Sequence, residues 1–198
     1  MTKFIRLMDG IKSNAGGFEL KLNEINIAEL WNPNTLDPAE MGGFNFSTDE
    51  KILRWIHRGD TVYDVELPDD AEVIDCPSSN CPHGVFRTNK IILTNPRKVT
   101  EEMVLDFYKK SDLPENTYYQ CLVVLLYKKY INVAKYIIKD RINKDNISDC
   151  IKEFERMITD KHDGNIYEFK YEELWHEAKE IYDILKEIQN TNLSKKID

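Results

Sequence analysis

Thr61-Val62-Tyr63-Asp64-Val65-Glu66-Leu67 alternates two sets of side chains with a period of two. Thr61, Tyr63, Val65 and Leu67 fall on one side of an extended chain, and Val62, Asp64 and Glu66 on the other. That alternation predicts a half-buried strand. Pro68-Asp69-Asp70 turns the chain after it, and Ala71-Glu72-Val73-Ile74 resumes an extended run. Working back towards the amino terminus, Phe44-Asn45-Phe46-Ser47 alternates in the same way after Gly42-Gly43, as does Phe18-Glu19-Leu20-Lys21-Leu22 after Gly16-Gly17. Phe4-Ile5-Arg6-Leu7-Met8 closes at Asp9-Gly10 and reads as a further strand. Between them, Ser47 or Thr48 is placed to cap a short helix carrying Ile52, Leu53, Trp55 and Ile56, stopped at Arg58-Gly59. Lys90-Ile91-Ile92-Leu93-Thr94 reads as a buried strand ending before Asn95-Pro96.

Beyond residue 98 the pattern changes. Gly164 is the only glycine and Pro114 the only proline there, and apolar residues recur at helical spacing. Thr100 caps a helix with Glu101 and Glu102 in its first turn, and Pro114 opens the next one. Residues 118–138 are apolar almost all round, but Lys128, Lys129, Asn132 and Lys135 interrupt them. A buried helix, or two helices broken near Tyr130, fits better than a membrane span. Asp145 or Ser148 caps a helix through Cys150, Ile151, Phe154 and Ile158. The alternation Ile166-Tyr167-Glu168-Phe169 leads into a last amphipathic helix. The expected fold class is α+β: a small mixed sheet over 1–98 packed with a helical half over 99–198, as one unit.

Composition narrows the function classes. The chain has 198 residues, 27 Lys plus Arg against 35 Asp plus Glu, and a formal net charge of -8. That sign disfavours a basic nucleic-acid binder. Three Trp, ten Tyr and eight Phe supply a core and argue against disorder. The start MTKFIRLMDG has no apolar signal region, and four Cys do not form a disulfide framework, so a reducing, cytoplasmic setting is expected.

Candidate chemistry is sparse. Cys76-x4-Cys81-x-His83 is the nearest approach to a zinc pattern, but it lacks a local fourth ligand, and incidental thiols in a Pro-rich loop are the plainer reading. Asp60, Asp64, Glu66, Asp69, Asp70, Glu72 and Asp75 lie in a stretch with no Lys or Arg before Arg87. Such a face suits a basic protein partner; the alternative is a solvated strand edge kept from aggregating by its charge. No nucleophile elbow and no phosphate-binding glycine loop occurs.

Gly42-Gly43-Phe44-Asn45-Phe46-Ser47-Thr48, Val65-Glu66-Leu67-Pro68-Asp69-Asp70-Ala71-Glu72-Val73 and Asn89-Lys90-Ile91-Ile92-Leu93 form an ordered set. The set resembles an uncharacterised amino-terminal module that precedes repeats in some giant-virus ankyrin proteins, although the helical half here has no Thr-Pro-Leu-His pattern. More distantly, the layout is similar to the ADP-ribosyltransferase superfamily, which binds NAD in a cleft between two small sheets. That resemblance implies Arg6 and Ser47 as catalytic residues, Tyr63 as a stacker on nicotinamide, and Glu168 as the carboxylate supporting the ribosyl cation. Glu153-Phe154-Glu155 matches the family's Glu-x-Glu letters but has a helical period, which leaves Glu168 as the late Glu in a strand-like context.

The leading expectation is a non-catalytic binding protein of viral, phage or mobile-element type, without cofactor, metal or membrane. It would engage a basic protein through Asp64, Glu66, Asp69, Asp70 and Glu72. The alternative is an NAD-using ADP-ribosyltransferase-like enzyme.

Overall fold

A computed structural model describes residues 3–12, 19–78, 81–159 and 170–194. The chain is α+β and divides into two compact units, Met1–Leu113 and Pro114–Asp198.

The first unit is built on strands β1 (Phe4–Met8), β2 (Ile25–Ile27), β3 (Phe44–Thr48), β4 (Thr61–Glu66), β5 (Val73–Asp75), β6 (Val85–Thr88) and β7 (Lys90–Lys98). They form one sheet in the order β2-β7-β4-β1-β3-β6-β5. Every pairing between these strands is antiparallel, and parallel contact is confined among the described residues to the bridge Leu22–Leu93. One layer of the core gathers Met8, Phe44, Phe46, Tyr63, Ile91 and Leu93. Phe46 stacks on Phe86 with ring centroids 5.2 Å apart, and Phe4 meets both edge-on. A helix α1 (Pro38–Met41) is capped by the Asp37 carboxylate on the Ala39 N–H. A 3-10 helix (Ile52–Arg58) contacts β1 and is in turn met by α2 (Glu101–Lys110), so α2 belongs to this unit.

Several expectations change in detail. Ser47 and Thr48 lie in β3 and do not cap the 3-10 helix, whose N-cap is Lys51 without a side-chain bond. The described part of the 18–22 segment makes only isolated bridges, Lys12–Glu19 and Leu22–Leu93. β7 does not stop at Asn95-Pro96. The ladder passes from Val62–Arg97 to Asp64–Thr94, which leaves an extra residue on β7, and Asn95 takes φ 51° there. A bulge tolerates a proline without its N–H, so the strand continues to Lys98. Gly59 joins the 3-10 helix to β4 where a Cβ would stand 2.2 Å from the Met8 carbonyl carbon, so no side chain fits.

The second unit is helical: α3 (Glu115–Tyr127), α4 (Ile131–Arg141), α5 (Ile147–Thr159), a 3-10 turn (Tyr171–Glu173) and α6 (His176–Ser194). α3 contacts the other three α-helices, and its residues from Thr117 to Val123 are all buried, which explains its nearly continuous apolar sequence. Two helices, not one, span 118–138. The Lys128 N–H donates to the Leu125 and Leu126 carbonyls, the Tyr130 N–H to Leu125, and Lys129 sits at φ 62°. This left-handed cap is the position where glycine normally ends a helix. Among the described residues no helix is long and apolar enough to cross a membrane.

Lys129 is exposed and pays the left-handed backbone cost without a packing return. Lys129→Gly is therefore expected to raise stability by up to about 1 kcal/mol, despite the extra freedom glycine gives the unfolded chain. Urea denaturation read by circular dichroism checks the sign.

Candidate functional site: an arginine-lined cavity

β1 and β3 register at only two pairs, Phe4–Thr48 and Ile5–Ser47. Beyond them the Asn45 carbonyl accepts from the Arg6 guanidinium. β6 continues the sheet with Asn45 opposite Arg87 and Ser47 opposite Val85. Directly opposed residues of an antiparallel pair share a face, so Ser47, Val85, Asn45 and Arg87 lie together. The 3-10 helix brings Ile52, Trp55 and Arg58 to this face, and the segment after β5 brings Cys76 and Pro77. The result is a cavity of about 380 Å³ within the first unit.

Three arginines, from β1, β6 and the 3-10 helix, line it, and among the described residues no carboxylate does. Arg6 is only 9% exposed. Burial, with the charge of Arg87 added to it, pulls the Arg6 guanidinium down to about 10. Burial also lowers Arg87, whose Nη1 donates to the Gly42 carbonyl at 2.7 Å, while Cys76 and Asp37 oppose the shift. The Ser47 hydroxyl donates to the Gly84 carbonyl at 2.7 Å, leaving its oxygen able to accept. Cys76 has its thiol pushed up by burial, against the pull of Arg87. Of the four free cysteines it alone is not buried.

No family model, curated protein or solved structure matches the chain. What the cavity does must be sought in its own chemistry.

The residues singled out from sequence scatter in an instructive way. Arg6 and Ser47 do share the cavity. Tyr63 does not line it; its ring is buried in the Met8–Phe46 core layer, and its hydroxyl donates to the Gly10 carbonyl at 2.8 Å. Glu168 lies outside the described residues. Glu153 and Glu155 are on α5, where Glu153 holds Arg156 at 2.6 Å and Glu155 accepts from the Tyr182 hydroxyl at 2.6 Å. The three candidate zinc ligands have separate engagements. Cys76 faces the cavity, the buried Cys81 thiol lies 3.1 Å from the His83 carbonyl, and the exposed His83 ring is 3.6 Å from the Asp75 carboxylate. No group of three or more His, Cys, Asp or Glu among the described residues is placed to hold a metal ion.

The acidic stretch is answered from across the sheet. Asp64 holds Arg97 at 2.6 Å and accepts from the Asn95 amide at 2.9 Å, Asp70 pairs with Lys90, and Asp60 with Lys98. Glu66 accepts from the Thr94 hydroxyl at 3.3 Å and Glu72 from the Trp31 indole at 2.9 Å. Asp69 is exposed in the turn. Charge that goes uncompensated along the chain is met by β7, whose bulge sets Arg97 beside Asp64.

Sequence reasoning missed Arg87, Arg58 and Trp55 as cavity residues. The available signal was the pair of extended runs Phe44–Ser47 and Val85–Thr88, which bring Asn45 and Arg87 together once they are paired.

The Arg97 hydrogen bond holds the Asp64 carboxyl below its ordinary value. Its stabilisation is therefore present above the unfolded pKa of about 4 and is lost as pH falls through the lower folded value. Asp64→Asn should cost on the order of 1 kcal/mol at neutral pH and flatten the stability profile below about pH 4, as measured by denaturant midpoints across pH.

Proposed function

We propose that the first unit is a non-catalytic binding module whose ligand is an anionic small molecule held in the cavity between the sheet and the 3-10 helix. The observation that carries this reading is the meeting of Arg6, Arg87 and Arg58 with Ser47 in one apolar-walled cavity of about 380 Å³. Cavities of this size suit small organic ligands, with a few polar groups setting orientation. Guanidiniums bind carboxylate and phosphate oxygens through paired, charge-assisted hydrogen bonds. The four free thiols fit a reducing, cytoplasmic setting.

The shared position of Arg6 and Ser47 keeps NAD in the panel of ligands to test. Transfer of ADP-ribose has less support, because that chemistry needs a carboxylate beside the ribose and no described lining residue supplies one. Docking of a basic protein on the 64–72 face is likewise weakened by the ion pairs of Asp64 and Asp70.

Cys76 offers the assay. Alkylation with iodoacetamide at mildly alkaline pH is expected to label Cys76 ahead of Cys81, Cys121 and Cys150, and a bound anion should slow it. Arg58→Gln and Arg87→Gln should each weaken that protection by about tenfold or more. Labelling that is indifferent to phosphate esters, carboxylates and NAD alike would refute the reading.

A further inference from the structure

We propose that the cavity's ligand is a phosphomonoester carrying a flat apolar group, which the protein holds without hydrolysing. This rests on the anion-binding reading above and narrows it to one chemical class.

The cationic groups come from three different elements. Arg6 lies on β1, Arg87 on β6 and Arg58 on the 3-10 helix. A carboxylate is planar, and one guanidinium fork satisfies it edge to edge. Three forks rooted on separate elements suit a tetrahedral group with three terminal oxygens and a charge of about -2. Arg6 is held in place by the Asn45 carbonyl and Arg87 by the Gly42 carbonyl, so both side chains are oriented before any ligand arrives.

Volume separates an ester from free phosphate. One water occupies about 30 Å³ of liquid, so a cavity of about 380 Å³ would hold an inorganic phosphate with most of its space left over. The remaining wall is apolar. Ile52, Phe46 and Val85 line it together with the half-buried Trp55, and Leu36, 62% exposed, stands nearer solvent. Arg54 lies over the Trp55 ring at 5.0 Å from its centroid, and a flat ring of the ligand would stack on the part of the indole that lines the cavity, a contact whose loss weakens affinity clearly when the aromatic is removed.

The same lining explains why the ester bond survives. Hydrolysis needs an activated nucleophile or a general base within reach. Cys76 is the thiol on the wall, and its burial raises its pKa, which disfavours the nucleophilic thiolate. No described carboxylate or imidazole lines the cavity to take a proton from water.

The full-length chain is titrated with phenyl phosphate, benzoate and inorganic phosphate, by calorimetry, at pH 7.5 and 5.0. Phenyl phosphate should bind at least about tenfold tighter than either of the others at pH 7.5. With a second phosphate pKa near 6, only about a tenth remains dianionic at pH 5.0, so its binding should weaken by about tenfold. Benzoate stays largely ionised over that range and controls for pH effects on the protein itself. Trp55→Leu should weaken phenyl phosphate and leave inorganic phosphate unchanged; Arg58→Gln, at an exposed residue, should weaken both phosphates. Benzoate binding as tightly as phenyl phosphate, or a phenyl phosphate affinity that ignores pH, would overturn this inference while the anion-binding reading stood. No binding by any of the three, with Cys76 alkylation unprotected, would remove both. Release of phenol on prolonged incubation would overturn the claim that the ester is left intact.

Discussion

Where β1 and β3 part after Ile5 and Ser47, the side chain of Arg6 takes the Asn45 carbonyl that the ladder leaves. Arg6 there joins Arg87 and Ser47 in the wall of the cavity. A guanidinium so nearly buried costs free energy unless its donors are satisfied, and nearby Arg87 raises the cost further. Sheets do not gain stability by such an arrangement. Local conflicts of this kind concentrate where a protein binds or reacts, and are compensated elsewhere in the fold. Here the compensation is a sheet of seven antiparallel strands, with an aromatic cluster of Phe4, Phe46 and Phe86 beside the gap.

The α+β class was legible because its evidence is local. Period-two alternation marks Phe44–Thr48 and Thr61–Glu66, and helical spacing marks the long elements after Thr100. What escaped depends on partners far away in the chain. β2 is three residues long, too short to show a period, and exists because Ile25, Asn26 and Ile27 pair with β7. β6, Val-Phe-Arg-Thr, has little alternation of its own and is defined by β3 on one side and β5 on the other. The cavity shares this character. Its walls come from residues between Ile5 and Arg87, and strand order and register, not spacing, bring them together. Arg6 and Ser47 drew notice through a family resemblance; Arg58 and Trp55 carry no sequence pattern that singles them out, and Arg87 is placed only once β6 is paired with β3.

Counting charge along the chain misleads for the same reason. Asp60, Asp64 and Asp70 look unopposed because no Lys or Arg follows before Arg87. The cations come from the neighbouring strand: β7 reaches Asp70 with Lys90, Asp64 with Arg97 and Asp60 with Lys98, none of them at a directly registered position. Asp64 illustrates how fine the placement is. Without the extra residue at Asn95-Pro96, β7 would run one position out of step and turn alternate side chains to the opposite face.

Gly59 bears on Arg58 in a way that sequence position alone does not suggest. The chain passes so close to Met8 at residue 59 that a methyl group would meet its backbone at 2.2 Å. Arg58, one residue earlier, is thus rooted by a contact between two main chains. A side chain rooted there has only its own torsions left to order, about 2 kcal/mol of rotamer entropy at most. The rim of the cavity therefore carries a long, exposed side chain on a main chain packed tightly against Met8.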